Sequence, residues 1–148
     1  KIKNFTGNDF AKFHPGGALG KKLLLKVENL LINKNKPEVS PQASVKEVII
    51  EISSKRLGVT TVIENDKILG IITDGDIRRM LEKTDSFINL QAKDIMSKTP
   101  KTIDSNELVS VALEVLESYA ITQLIVTENN KYAGVIHLHD ILKEGIVS

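Results

Sequence analysis

The amino-acid sequence predicts an α/β (α+β) fold in which two β-α-β-β-α units pack together as one pseudo-twofold module. Three observations indicate this fold: an internal repeat, helical spacing of apolar residues in each copy, and β-branched segments separated by polar turns. The repeat is clearest where the segment GIITDGDI at 70–77 returns 64 residues later as GVIHLHDI at 134–141. The same offset continues upstream without a gap to Val45 and Val109.

The length of the chain allows one shared core rather than two independent ones. A domain of 148 residues buries roughly 68–70% of the surface that its unfolded chain exposes, whereas a unit of about 60 residues buries only about 60%. Each repeat alone would therefore be marginally stable. We expect the two copies to pack on each other.

Repeat one is predicted to span 27–83, and residues 84–91 link it to the second copy. Helical spacing predicts a helix whose buried face carries Val45, Val48, Ile49 and Ile52. This helix is predicted to end at 57–58, where a glycine stands. Three segments are predicted to be strands, at 37–39, 60–63 and 68–73. A short last helix opens at 74–76 and should bury the apolar residues Ile77, Met80 and Leu81.

Repeat two is predicted to span 92–148 and to follow the same order. The buried face of its long helix should carry Val109, Ala112, Leu113 and Leu116. Its strands are predicted at 101–103, 124–127 and 132–137, and polar residues at 128–131 form the turn between the last two.

The composition excludes several classes of function. The formal net charge is +1, with 20 basic and 19 acidic residues, so the chain lacks the basic surface that nucleic-acid binding needs. The absence of cysteine excludes disulfides and thiolate metal sites and fits a reducing compartment, so we expect a cytoplasmic protein. No apolar run approaches the 18 residues or so that a membrane helix requires.

The repeated unit resembles a cystathionine-β-synthase-type (CBS) domain. The resemblance covers about 27–146 and is carried by the β-α-β-β-α order, the tandem duplication and a Gly-x-x-Thr-x-x-Asp motif that ends at Asp76. It implies that the two domains stack through their sheets and hold a regulatory ligand in a cleft between them.

The segment FAKFHPGGALGKKL at 10–23 resembles the end of the sugar-isomerase domain of arabinose-5-phosphate isomerases. In that family the same segment leads directly into a CBS pair, so residues 1–26 would be the end of an isomerase domain and a linker. The resemblance implies a parent enzyme that interconverts D-ribulose 5-phosphate and D-arabinose 5-phosphate for the synthesis of Kdo, a sugar of lipopolysaccharide or capsule.

His14 is the one candidate catalytic residue in that first segment. An imidazole that titrates near neutrality suits an acid or base in the parent enzyme. The alternative is that His14 caps or orients the loop before Pro15. A lone histidine cannot bind and polarise a sugar phosphate, so residues 1–148 are not expected to be catalytic by themselves.

Asp76 and Asp140 are the candidate ligand carboxylates of the two repeats. The CBS resemblance implies that such a carboxylate accepts hydrogen bonds from both ribose hydroxyls of a nucleotide, and two carboxylate oxygens suit a vicinal diol. Thr73 would add a hydroxyl, and Arg78 and Arg79 could reach a phosphate. The structural alternative is that both aspartates are N-cap residues of the last helix of each repeat. Both roles can coexist, because a helix N-terminus attracts anions.

The second copy departs from the motif, since His137 replaces Thr73 and His139 replaces Gly75. The two corners are therefore not expected to be equivalent, and the imidazoles could contact a phosphate or carboxylate of the ligand. A metal site with Asp140 is an alternative if both histidines share a strand face. No fourth ligand is evident, so no metal is predicted.

The predicted function is a regulatory and oligomerising CBS pair that senses a nucleotide or nucleotide-sugar. An adenine nucleotide or CMP-Kdo is the expected effector, and no cofactor is required. The expected assembly is a homodimer. A purely structural dimerisation module without a ligand is the alternative.

Overall fold

Two three-stranded sheets carry the fold. The computed structural model describes residues 24–31 and 36–145, so His14 and the other predictions for residues 1–23 lie outside the described residues. The strands are β1 Glu38–Val39, β2 Val59–Glu64, β3 Lys67–Thr73, β4 Thr102–Asp104, β5 Gln123–Glu128 and β6 Lys131–His137. In each sheet a short first strand pairs parallel with the middle strand, which pairs antiparallel with the third. This arrangement confirms the predicted fold class.

Six helices accompany the strands in the described residues: α1 Val27–Leu30, α2 Val45–Lys55, α3 Asp74–Lys83, α4 Ala92–Ile95, α5 Val109–Ser118 and α6 Leu138–Leu142. Helices α2, α3, α5 and α6 correspond to the helices that the repeat predicts. Helices α1 and α4 were not predicted, because four residues are too few to show a helical period. No helix in these described ranges is long and apolar enough to cross a membrane.

Helix α2 begins with a reciprocal cap and ends earlier than expected. The Ser44 hydroxyl accepts a hydrogen bond from the Glu47 N–H at 3.1 Å, and the Glu47 carboxylate accepts one from the Ser44 N–H at 2.9 Å. The predicted end at 57–58 is wrong: Arg56 already adopts the left-handed conformation, with φ 60°, that closes a helix. Ile49, predicted to be buried, is 36% exposed.

Both hairpin turns use pairs of residues with positive φ. Asn65 and Asp66 have φ of 53° and 66°, and Asn129 and Asn130 have φ of 55° and 65°. Asparagine and aspartate tolerate this conformation better than other side chains do. The polar turns predicted between the last two strands of each repeat are therefore confirmed.

The short helices α1 and α4 each pack on the other repeat. The N–H groups of Val27 and Glu28 donate to carbonyls of the second repeat, at Glu107 and Ser105, over 2.9 Å each. Val27 is fully buried in the core formed by α5, β5 and β6. The core of each repeat is thus completed by the first helix of the other repeat.

Helix α4 makes the reciprocal contact with the first repeat. The Ala92 N–H donates to the Ala43 carbonyl at 2.8 Å, and the Ala92 side chain is buried with Val48 and Ile72. Further along, Ser97 and Ile71 exchange two backbone hydrogen bonds at the edge of β3. These bonds extend the first sheet with residues from beyond the linker.

A third core lies between the two sheets and joins them. Its buried members come from both repeats: Leu57, Val59, Ile125, Tyr132 and Val135. The Tyr132 hydroxyl donates to the carbonyl of Pro37 at 2.6 Å, and the Thr61 hydroxyl donates to the same oxygen at 2.8 Å. The sheets therefore pack face to face, as the sequence predicts for a single module.

Burial of Tyr132 should make the stability of the protein fall at high pH. Burial, which the Thr61 hydroxyl partly offsets, raises the pKa of the phenol above its ordinary value of 10.0. The folded state then holds a proton that the unfolded state releases, so stability is fully present below pH 10 and falls above it, by up to about 1.4 kcal/mol per pH unit. Urea unfolding at pH 7 and pH 11 measures this loss.

The Tyr132→Phe variant is the matched comparison. At pH 7 it should lose about 1 kcal/mol with the hydrogen bond to Pro37, but its further loss by pH 11 should be smaller than that of the wild type. Tyr119→Phe serves as the control, because Tyr119 is 53% exposed. Equal alkaline losses in the wild type and Tyr132→Phe would show that Tyr132 does not titrate in this way.

Candidate functional site

The first candidate corner lies where β3 ends and α3 begins. Thr73 is the N-cap of α3, and Asp76 is the third residue of the helix. The Asp76 N–H donates to the Thr73 hydroxyl at 3.1 Å, and the Thr73 N–H donates to Asp76 Oδ2 at 2.9 Å. The expectation that Asp76 is the N-cap is therefore wrong: the threonine takes that place, and the aspartate completes the reciprocal cap.

Asp76 is oriented by a second partner on its own helix. Arg79 Nη2 donates to Asp76 Oδ1 at 2.6 Å, with the Asp76 side chain 11% exposed and that of Arg79 59% exposed. Residues three apart lie on the same helix face, a spacing that could have identified this pair from the sequence. Of the two arginines that could reach a phosphate, Arg79 lines the cavity beside Asp76, whereas Arg78 is exposed and lies outside it.

This cavity, which we call the Asp76 cavity, has a volume of about 290 Å³. It is formed by α3, the linker after α3, and α4, and its charged residues are Asp76, Arg79, Lys83 and Asp94. Met80 and Leu90 provide apolar surface. Leu81, predicted to be buried, is 49% exposed, so the inner face of α3 is narrower than its apolar residues suggest. The cavity offers two carboxylates, two cations and an apolar wall to a ligand.

The second corner repeats the reciprocal cap with different chemistry. His137 is the N-cap of α6, and its Nδ1 accepts a hydrogen bond from the His139 N–H at 2.9 Å. The His137 N–H donates to Asp140 Oδ2 at 3.0 Å, and Asp140 is only 9% exposed. Asp140 is therefore also a third helical residue rather than an N-cap.

The histidines do not share a strand face. His137 is the last residue of β6, whereas His139 lies in α6 and is exposed. The geometry assumed for the metal alternative is thus wrong. Within the part of the chain that the structure describes, no group of histidine and carboxylate side chains could hold a metal ion.

An open pocket of about 460 Å³ lies between the repeats. The first repeat contributes the polar residues Ser53, Arg56 and Asp74, together with Gly58, and the second repeat contributes Gln123 and His137. Gln123 Nε2 donates to the Leu57 carbonyl at 3.0 Å and so ties the repeats together. We call this space the inter-repeat pocket. Arg56, Asp74 and Gln123 were missed by the sequence, although each stands where the two copies differ.

The candidate residues thus do not share one ligand space. Thr73, Asp76 and Arg79 belong to one corner, where Asp76 and Arg79 line the Asp76 cavity, whereas His137 lines the inter-repeat pocket. His139 and Asp140 are held at the second corner without lining either space.

A family model described as the CBS domain matches residues 27–83 and 92–146. The chain belongs to the CBS domain family. Arabinose 5-phosphate isomerase KdsD of Francisella tularensis is 47% identical to the chain over 146 residues, which cover 97% of the chain and 44% of that protein. KdsD of Yersinia pestis is 40% identical over 99% of the chain and 45% of its own length. The chain therefore spans less than half the length of these curated relatives.

Solved CBS structures share this fold. A CBS-domain-containing protein from Agrobacterium tumefaciens superimposes with a TM-score of 0.74 at 22% identity, over 84% of this chain and 96% of its own. A CBS domain protein from Pyrobaculum aerophilum, complexed with AMP, superimposes with a TM-score of 0.71 at 21% identity, over 81% of this chain and 97% of its own. At these identities the likeness concerns the fold alone.

The Thr73 cap should contribute measurably to stability. Thr73→Ala removes the hydroxyl that accepts from the Asp76 N–H and should lower the free energy of unfolding by about 1 kcal/mol. Thr73→Ser keeps the hydroxyl and should recover most of that loss. Urea unfolding of the three proteins measures both effects, and an equal loss in the serine and alanine variants would contradict the capping role.

Proposed function

We propose that this CBS pair is the regulatory part of an arabinose 5-phosphate isomerase and senses a ribonucleotide in the cytoplasm. Identities of 40–47% to KdsD enzymes over nearly the full chain support this assignment. More than half of each relative lies outside the matched region, and we assign the interconversion of ribulose 5-phosphate and arabinose 5-phosphate, for Kdo synthesis, to that part. His14 would take part only in the complete enzyme.

The oriented carboxylate of Asp76 is the observation that carries the sensing role. Thr73 fixes one carboxylate oxygen and Arg79 contacts the other, at the wall of a cavity. A ribose diol would donate to these same oxygens. Because the Arg79 side chain is largely exposed, its ion pair is weak and can open. The released guanidinium, together with Lys83, would then face the phosphate of the nucleotide.

Two effectors fit this chemistry equally well. An adenine nucleotide and CMP-Kdo both present a ribose diol close to a phosphate, and a nucleobase could lie against the apolar wall of Met80 and Leu90. The Pyrobaculum protein, which shares the fold and is complexed with AMP, supports an adenine nucleotide as the effector. Binding would be coupled reciprocally to the active site of the complete enzyme, because linkage acts equally in both directions.

The second corner would bind less well. Asp140 is almost fully buried, so a ligand would reach its carboxylate only after the local structure opens. His137 and His139 replace the threonine and glycine of the first motif. We propose that they contact a phosphate or carboxylate of the ligand and do not bind a second ribose.

Isothermal titration calorimetry of the chain with AMP, ATP and CMP-Kdo tests the proposal. At least one of them should bind, and Asp76→Asn should weaken it by about tenfold or more, since the charged acceptor for the diol is lost. Asp140→Asn is the matched control from the second repeat and should change the affinity by less than about threefold.

The proposal fails if none of the three ligands produces heat, or if Asp76→Asn binds as tightly as the wild type. Circular dichroism and a thermal melt of each variant show whether the fold is retained. These measurements separate loss of the binding carboxylate from loss of the α3 cap.

Exposed apolar residues on α2 support the second candidate function, a structural dimerisation module. Ile50 is 56% exposed on the side of α2 opposite its buried residues, and Ile49 is 36% exposed at the edge of the buried face. Exposed apolar surface of this kind often marks an interface with another molecule. In the expected homodimer, a second copy of the chain would cover it.

Light scattering tests the dimer. The wild type should have twice the mass of one chain, and Ile50→Lys should give a monomer, because a charge is costly to bury in an apolar interface. Leu142→Lys is the control, since Leu142 is 46% exposed and belongs to α6 of the second repeat. A monomeric wild type, or a dimer that survives Ile50→Lys, would contradict this candidate.

A further inference from the structure

The two repeats close the same reciprocal cap with chemically different side chains. At the start of α3 the Thr73 hydroxyl accepts from the Asp76 N–H at 3.1 Å. At the start of α6 the imidazole of His137 takes this place, and its Nδ1 accepts from the His139 N–H at 2.9 Å. An imidazole titrates between about pH 5 and pH 8, whereas a hydroxyl does not. Of these two capping side chains, only His137 can therefore respond to pH in this range.

The hydrogen bond at His137 requires the neutral ring. Nδ1 accepts through its lone pair, so the accepting tautomer carries its proton on Nε2. Protonation turns both ring nitrogens into donors. An Nδ1–H group would then face the N–H of His139, and the positive ring would lie beside the N–H groups that open α6. Both contacts are repulsive, so the charged ring is expected to leave the cap.

Ionisable groups face or flank the ring from both repeats. Arg56 and Asp74 line the inter-repeat pocket together with His137, and the remaining polar lining of that pocket is uncharged. His139 and Asp140 follow on α6. Arg56 and a charged His139 disfavour a positive ring, whereas the two carboxylates favour one.

The two carboxylates are engaged or distant in sequence. Asp140 Oδ2 already accepts the backbone N–H of His137 at 3.0 Å, and Asp74 belongs to the first repeat. The closest contact that depends on the protonation state of the ring is the hydrogen bond at Nδ1. This contact therefore decides the balance, and the folded state favours the neutral ring.

The cap holds more than the first turn of α6. Ile141 is fully buried in the core of the second repeat, beside Val27 of α1, and Asp140 is only 9% exposed. Loosening the first turn of α6 would shift Ile141 in this core and would let water reach the Asp140 carboxylate. The protonation state of one imidazole is thus coupled to the packing of the second repeat.

We propose that His137 is a pH-dependent switch: its neutral imidazole closes the first turn of α6, and protonation releases this turn together with Asp140. The switch needs no ligand and does not depend on nucleotide binding at the Asp76 cavity. The first repeat lacks it, because Thr73 caps the corresponding helix with a group that does not titrate.

Linkage gives the sign of the expected pH dependence. In the unfolded chain a histidine binds a proton near the ordinary imidazole pKa of about 6.5, whereas the ring that caps α6 resists protonation. The unfolded state therefore binds more protons as the pH falls. The stability that the cap contributes should be fully present above about pH 6.5 and should be lost below it.

Urea unfolding of the 148-residue chain at pH 7.5 and pH 5.5 tests the switch. His137→Thr, which copies the cap of the first repeat, is the matched comparison. On acidification the unfolding constant of the wild type should rise about fivefold more than that of His137→Thr. His137→Asn, which also provides a good cap, should behave like His137→Thr and replaces it if the threonine variant does not fold.

His139→Ala is the control for the neighbouring imidazole. It removes the exposed ring of His139 but keeps the N–H that donates to Nδ1, so it should retain the acid response of the wild type. In this variant the backbone amide of position 139 also reports on the hydrogen bond by NMR. Its resonance should shift with the same midpoint as the His137 ring, and the shift should disappear when His137→Thr is added.

Three results would overturn the proposal. The first is an equal acid response in the wild type and His137→Thr. The second is a wild type that gains stability relative to His137→Thr at pH 5.5, as attraction of the charged ring to Asp140 would produce. The third is an amide resonance at position 139 that does not follow the titration of the ring.

Discussion

The structure depends on one constraint: neither repeat can complete its own core. Helix α1 packs on the second repeat and α4 packs on the first, and each is joined to its host by backbone hydrogen bonds as well as by a buried side chain. The third core, between the sheets, adds Tyr132 and its bond to the Pro37 carbonyl. Separating the repeats would therefore expose three apolar surfaces at once, so the pair should fold as a single unit.

This shared core places the ligand-type corners at the ends of the strands. In both repeats the third strand leads directly into a helix through the same reciprocal cap, made by Thr73 with Asp76 and by His137 with Asp140. The aspartate is therefore needed for the helix whether or not a ligand is present. A binding role at Asp76 uses a carboxylate that the fold has already oriented, which reduces the entropy lost when a ligand is bound.

Divergence between the copies has changed the surfaces and left the framework intact. The buried positions of α5, which include Val109, Ala112 and Leu116, keep the apolar character of their counterparts in α2 or change only in size. In the inter-repeat pocket, by contrast, the polar residues Arg56, Asp74 and Gln123 stand where the other copy has Ala120, Leu138 and Val59. Substitution at exposed positions costs little stability, so the two sides can carry different residues on the same framework.

The repeat, the fold class and the hairpin turns follow from the sequence alone, because they depend on local spacing and on neighbours within a few positions. Only the tertiary structure revealed the exchange of α1 and α4, the burial of Asp140 and the meeting of Arg56, Asp74 and Gln123. The CBS resemblance implied a ligand cleft between the repeats, yet Asp76 and His137 line different spaces. Which side chains share a space depends on how the two sheets pack, and contacts between residues more than sixty positions apart, such as Gln123 with Leu57, leave no period in the sequence.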